Sequence, residues 1–381
     1  LKQVYIKAKD DLEKDLQYFY QEHYCWIANF STYMSLKGKN GYKPWHDWQE
    51  DHKDSKSSTI KEYKNTNREE VCFWVFTQYC FYKQWLDLRS YANSLGIKII
   101  GDLPIYVAGD SADVWANPHL FYLDKDLLPI KVSGCPPDAF SVTGQLWGNP
   151  IYNWNVMEQD GYDWWVQRMK QSFTLYDTVR IDHFRGFEAY WEVKYESKDA
   201  AHGRWVKGPG IKFFNKIKEA LGELNIIAED LGVYSEELQK LLKDTGYPGM
   251  KVLQFAFDCN KNNPHLPHNF SRHCLVYTGT HDNLPVKGWY NQASQEEKNY
   301  ALKYMHQNSD EEAHWTFIRT AWSSTAYLAI AQMQDFLGLD EKARMNTPST
   351  IHGNWVWRMK KEDLSEEIAE KIADLTLLYG R

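Results

Sequence analysis

No stretch of the sequence holds the roughly 18 consecutive apolar residues that a membrane-spanning helix needs. No segment shows the basic start and apolar middle of a secretory leader, so a cytoplasmic protein without a membrane partner is expected. The six cysteines, Cys25, Cys72, Cys80, Cys135, Cys259 and Cys274, never fall into a Cys-x-x-Cys pair. That pattern reads as reduced thiols, not as a disulfide framework. His46, His52, His265 and His268 lack ligand spacing, and no catalytic metal is expected. No G-x-G-x-x-G follows a candidate strand, and neither a Walker-type phosphate loop nor a G-x-S-x-G elbow occurs. No cofactor is therefore expected. Positive charge is not in excess either: 44 Lys+Arg against 51 Asp+Glu give −7 at pH 7, which disfavours a nucleic-acid partner.

What the 381 residues do hold is aromatic, with 17 Trp, 25 Tyr and 17 Phe. Flat rings suit the faces of sugars, and they equally suit cores and interfaces; composition leaves both open. With 43% hydrophobic and 25% charged residues, the chain is globular and large enough for one big α/β domain or two smaller ones.

Residues 1–95 read as a mostly helical subdomain, with periodic segments at 10–24 and 69–95 and a polar loop over 38–67. From 96 to 381, short β-rich runs alternate with helical stretches, at 97–100, 178–181, 226–228, 251–257, 275–277 and 328–333. Apolar strands separated by helices imply a parallel sheet. Polar residues gather where each run ends. That fits an α/β fold of the (β/α)8 TIM-barrel type with helical and loop insertions, whose active site opens at the strand C-termini. A doubly wound open sheet is the alternative. A complete barrel has eight strands, and six are legible here. The expectation is a barrel lacking its first two strands in this chain, those strands lying upstream of Leu1. Residues 103–175, dense in Gly, Pro and aromatics, read as a long lid or substrate-binding insertion.

Three acids close separate runs: Asp182, Glu229 and Asp282. Singly, each is as readily a helix cap or a surface charge. Together at one rim they would equip cleavage of a glycosidic bond, one attacking the anomeric carbon and another moving the proton. A third would stabilise charge on the ring. Arg180 stands two residues before Asp182, so strand alternation puts both side chains on one face. A guanidinium there keeps a nucleophile ionised. Glu229, as general acid, needs surroundings that hold its proton; Asp230 beside it points away. His281, next to Asp282, is placed to donate hydrogen bonds to sugar hydroxyls.

The segments Arg180-Ile181-Asp182-His183-Phe184-Arg185-Gly186, Ala228-Glu229-Asp230-Leu231-Gly232 and Thr278-Gly279-Thr280-His281-Asp282-Asn283 resemble the catalytic segments of the 4-α-glucanotransferases, the amylomaltases or disproportionating enzymes of glycoside hydrolase family 77. Gly101 to Ala108, Ser111 to Trp115, Gly144 to Pro150, Gly203-Arg204-Trp205, Met250 to Asp258, Arg344-Met345-Asn346 and Gly353-Asn354-Trp355 resemble further family segments, in family order. The resemblance implies Asp182 as nucleophile, Glu229 as general acid/base and Asp282 as transition-state stabiliser, with Arg180 and His281 in the same subsite. It implies Trp147 and Phe140 in a loop covering the acceptor side, and Asp138, Gln145, Asp258 and Asn346 as binding or supporting residues. Its substrates would be maltooligosaccharides and other α-1,4-glucans. Ala139, Leu284-Pro285 and Ser349 depart from the common pattern, which touches acceptor preference and leaves the acids alone. Two alternatives stay open: an α-glucan hydrolase with the same acids, and an inactive, truncated glycan-binding protein.

Overall fold

Among the described residues ten runs form strands. In chain order they are β1 (Ile100–Pro104), β2 (Lys131–Cys135), β3 (Gln145–Pro150), β4 (Thr178–Asp182), β5 (Ala189–Lys194), β6 (Gly203–Lys207), β7 (Ile226–Ala228), β8 (Gly249–Val252), β9 (Cys274–Tyr277) and β10 (Leu328–Ile330). The computed structural model describes residues 1–137, 141–307 and 313–381. It is a mixed α/β protein of two compact units, one comprising Leu1–Ile227 with Ser235–Thr245, the other Ala228–Tyr234 with Gly246–Arg381.

In the first unit, β1, β4 and β7 make a sheet in that order. β1 and β4 run parallel, with Asp102 opposite Arg180 and Pro104 opposite Asp182. β4 and β7 are buried through their centres, as strands covered on both faces must be. Gly101 lies against the Tyr176 ring, where a Cβ would stand 2.1 Å from a ring carbon; only glycine admits that approach. Below the sheet, Asp177 ties the long helix Arg68–Ser94 to the start of β1. Its carboxylate accepts from Arg89 Nη2 (2.6 Å), Asn93 Nδ2 (3.0 Å) and the Ile99 N–H (2.8 Å). Desolvation works against the charge, but these donors win and hold the carboxyl down at about 2.

A second sheet in this unit is antiparallel, in the order β3-β2-β5-β6. It gives much of the 103–175 stretch, read from sequence as loop, a regular core. Of the Gly and Pro residues that suggested a loop, Gly134, Gly148 and Pro150 sit in β2 and β3, where a bulge shifts the register between Val132 and Gly134. The polar 38–67 segment is likewise partly helical, with turns at Glu50–Lys53 and Ser58–Thr66. Ser57 caps the latter by accepting from the Ile60 N–H (3.2 Å), and Ile60 and Tyr63 bury its inner face. From Lys2 to Ser94 the described elements are helices. Compactness divides the chain after Ile227.

The second unit carries the parallel sheet β8-β9-β10. The run read as 251–257 leaves the strand after Val252 and turns helically over Leu253–Phe255. A core of Leu253, Phe257, Val276, Val286, Phe317 and Ile318 packs around it. Many aromatics prove to be core. Trp45, Trp115, Trp165, Tyr152, Phe187 and Phe213 are fully buried, and Trp165, Phe187 and Phe213 meet with centroids 4.7–5.4 Å apart. No helix among the described residues is long and apolar enough to cross a membrane.

Candidate active site

The first unit presents its acids at the ends of β1 and β4. Parallel register sets Asp102 beside Arg180, and alternation along β4 sets Arg180 beside Asp182. Arg180, itself buried, donates through Nη1 to both carboxylate oxygens of Asp102 (2.7 and 2.8 Å) and to Oδ1 of Asp182 (2.8 Å). One cation thus serves two carboxylates that remain open to solvent, 41% and 42% exposed. This is the charge-assisted type of bond, short and orienting.

His183 follows in left-handed backbone, at φ 52°. Desolvation pushes its imidazole down to about 4, despite the neighbouring Asp182 charge, so the ring is neutral near pH 7. Trp147 packs edge-on against it, with centroids 4.7 Å apart. The Trp147 indole N–H donates to Gln145 Oε1 (3.1 Å). β3 therefore places Trp147, with Gln145 bonded to it, against His183, the residue after Asp182.

In the second unit, Glu229 directly follows β7 and is buried. Its Oε1 accepts the Leu231 N–H at 2.7 Å, a local turn that fixes the carboxyl. Asp230 does point elsewhere: it accepts the Met250 N–H (2.7 Å) at the start of β8. It lies so close to Gly249 that a Cβ there would stand 2.6 Å from its oxygen. Burial raises its carboxyl above the usual range.

Asp282 sits in a turn beyond β9 that ties itself, Asn283 Oδ1 accepting from the Thr280 N–H (2.8 Å) and hydroxyl (2.9 Å). Its Oδ1 accepts from Asn346 Nδ2 at 2.6 Å, and its backbone carbonyl accepts from Arg344. His281 Nε2 stands 3.5 Å from Asp282 Oδ2. The Asn346 N–H in turn donates to the His281 carbonyl (3.0 Å). Asn346 is thus bound to the acid.

Asp258 is not. It is exposed and bonded to the Asn260 N–H in its own turn (3.0 Å), and it makes no hydrogen bond to the other candidates among the described residues. Asp138 and Phe140 lie outside the described residues. Asp102 and Arg344 were not singled out from sequence. Asp102 had a signal, since it closes the first β-rich run just as the chosen acids close theirs; Arg344 had none beyond its place in a family segment. A cavity of about 380 Å³ lies elsewhere, lined by Trp26, Tyr82, Leu103, Trp164, Arg168 and Gln171. Leu103 alternates with Asp102 along β1, so this cavity is behind the strand. Among the described residues no group of three or more His, Cys, Asp or Glu could hold a metal ion.

Parallel strands with acids at their C-terminal ends define the class as an α/β protein of the kind that works at its strand ends. A family model described as 4-alpha-glucanotransferase matches residues 1–364. A 4-alpha-glucanotransferase of Clostridium butyricum is 50% identical over 100% of this chain and 79% of its own length. That of Thermus thermophilus is 45% identical over 95% and 74%. A solved amylomaltase from Streptococcus agalactiae, in complex with acarbose, superposes with a TM-score of 0.93 at 42% identity, over 97% of this chain and 75% of that one. The chain belongs to the 4-α-glucanotransferase family, glycoside hydrolase family 77.

Proposed function

We propose that the chain is a 4-α-glucanotransferase acting on α-1,4-glucans by double displacement. Asp182 is the nucleophile. Its carboxylate bonds to the anomeric carbon as the glycosidic C–O bond breaks, and Glu229 gives its proton to the leaving 4-oxygen. The 4-OH of an acceptor glucan then attacks, its proton passes to Glu229, and Asp182 departs. Two inversions retain the α configuration. Asp282, fixed by Asn346, holds ring hydroxyls of the sugar in transit. The observation that carries this reading is the Arg180 clamp: it keeps a solvent-accessible carboxylate oriented and beside positive charge, as a nucleophile requires.

The strands β1, β4, β7, β8, β9 and β10 are proposed as members of one (β/α)8 barrel, with 96–381 its catalytic portion, 1–95 a helical subdomain and 103–175 the substrate-binding insertion. Transfer has to outrun hydrolysis although water is present at about 55 M. An acceptor site that holds a sugar and keeps water from attacking position would achieve this, and Trp147 against His183 is the ring proposed to form one wall. A cytoplasmic location accords with Cys25, Cys72, Cys80, Cys259 and Cys274 standing outside any disulfide.

Maltotriose tests the proposal. Transfer yields glucose and a ladder of longer oligomers with the number of reducing ends constant. A steady rise in reducing ends without longer products would mean hydrolysis, and binding without turnover would mean a glycan-binding protein.

A further inference from the structure

Trp355 is a large apolar side chain that stays 59% exposed although the chain around it is built with care. Its backbone is left-handed, at φ 60°, a conformation that is costly for a bulky residue and persists only where neighbours enforce it. The neighbours are identifiable. The Trp355 N–H donates to the Met345 carbonyl (2.7 Å). Asn354, just before it, accepts from the Thr347 N–H (2.9 Å) and donates to the Thr350 carbonyl and hydroxyl (3.0 Å each). This closes residues 347–354 into a tied loop.

The loop is anchored at its other end by Asn346, the residue that grips Asp282 at 2.6 Å. The indole it presents stands 5.0 Å from the His281 ring, centroid to centroid, at 39°. His281 Nε2 is in turn 3.5 Å from Asp282. A strained, braced backbone thus holds an open aromatic face one side chain away from the carboxylate of the second unit. Burial does not explain the placement, since more than half of the residue faces solvent.

We infer that Trp355 is a stacking platform for a glucosyl ring adjoining the one that Asp282 holds, and so a residue that sets how strongly longer glucans bind. The inference rests on the α-1,4-glucan reading. The apolar C–H face of a pyranose covers an indole without needing hydrogen bonds, while the hydroxyl edge remains free for His281. Such a platform strengthens binding of chains long enough to reach it and leaves the bond-breaking groups alone.

The test uses the full chain with Trp355→Ala and Trp355→Phe, each also combined with Asp182→Asn so that binding is read without turnover. In the combined variants, Trp355→Ala should weaken maltoheptaose binding by calorimetry about tenfold, while Trp355→Phe, which keeps a flat ring, should weaken it by about threefold or less. In the active protein the KM penalty of Trp355→Ala should grow with oligosaccharide length, with kcat and its pH profile little changed. Binding within about twofold of the parent in Trp355→Ala overturns the inference, as does an equal loss in Trp355→Phe. A length-independent fall in kcat with a shifted pH profile also overturns it, because it would mean the ring acts only through His281. If the parent Asp182→Asn chain binds maltoheptaose and these losses are missing, only the role of Trp355 fails. If the unsubstituted chain neither binds nor transfers glucan, the functional reading itself fails.

Discussion

Asp182 and Asp282 are exposed to nearly the same degree, 42% and 40%, and both lie at or just past the end of a parallel strand, yet their partners differ in kind. In the first unit a guanidinium faces Asp182 and shares itself with Asp102. In the second, a neutral amide holds Asp282 and a histidine stands beside it. The same contrast recurs away from the site. Asp177 in the first unit is surrounded by Arg89, Asn93 and a backbone N–H, and is held at about 2. Asp335 in the second is fully buried with no cation bonded to it among the described residues, accepting from the Thr278 hydroxyl and the Val286 N–H (2.7 Å), and burial pushes it up to about 6. One carboxyl chemistry thus yields two behaviours. At Asp177 a paired cation and further donors favour the charge, and at Asp335 neutral donors in a dry setting do not offset desolvation.

The largest expected effect separates the two acids directly. Asp182→Asn should reduce turnover of maltotriose by at least about 10⁴-fold while Tm stays within a few degrees; near-normal rates would remove Asp182 as nucleophile. Next, Arg180→Lys keeps a positive charge and loses the planar fork that reaches two carboxylates. A fall in kcat of about 10²-fold is expected, and a loss smaller than that of Asn346→Ala would break the comparison. Asn346→Ala removes one hydrogen bond to a charged group, so kcat/KM should fall about tenfold. A loss equal to that of Asp182→Asn would instead put Asn346 among the reacting groups.

The smallest effects test the same contrast through stability. Asp335 has its folded value raised above the ordinary 3.8, so the stability tied to its protonated form is full below about 4 and falls as pH rises through about 6. The unfolding free energy of the parent minus that of Asp335→Asn should drop by on the order of 2–3 kcal/mol between pH 4 and 7. Asp177 has its folded value depressed, so its contribution is full above about 4 and is lost as pH falls towards 2. There the parent-minus-Asp177→Asn difference, about 1–2 kcal/mol after solvent screening, should be flat from pH 7 to 4 and shrink below. Urea unfolding at stepped pH reads both, and slopes of the same sign would end the comparison.

The strands β4, β7, β9 and β10, and in part β8, were legible because each is a short apolar run whose signal is local; β1, at Ile100–Pro104, begins only where the run read at 97–100 ends. Pairing of Arg180 with Asp182 was legible for the same reason, since alternation within one strand decides it. The antiparallel strands β2, β3, β5 and β6 were not legible. Their Gly, Pro and charged residues mimic loop, and what stabilises them is pairing with each other. Asp258 shows the converse: it follows the run read at 251–257, but the strand ends at Val252 and Asp258 accepts the Asn260 N–H of its own turn.

By itself, then, the sequence determined where the apolar strands β4, β7, β9 and β10 run, which acids close or follow them, and that an arginine would accompany Asp182, because these follow from periods of two and from residue types a few positions apart. Tertiary structure alone decided that Asp102 shares that arginine from 78 positions away and that Asn346 grips Asp282 from 64 away. Only the folded chain also put an indole from a strained loop beside His281. Such contacts depend on strand register and on how loops close, which no local pattern encodes because the partner's distance along the chain leaves no periodicity to read.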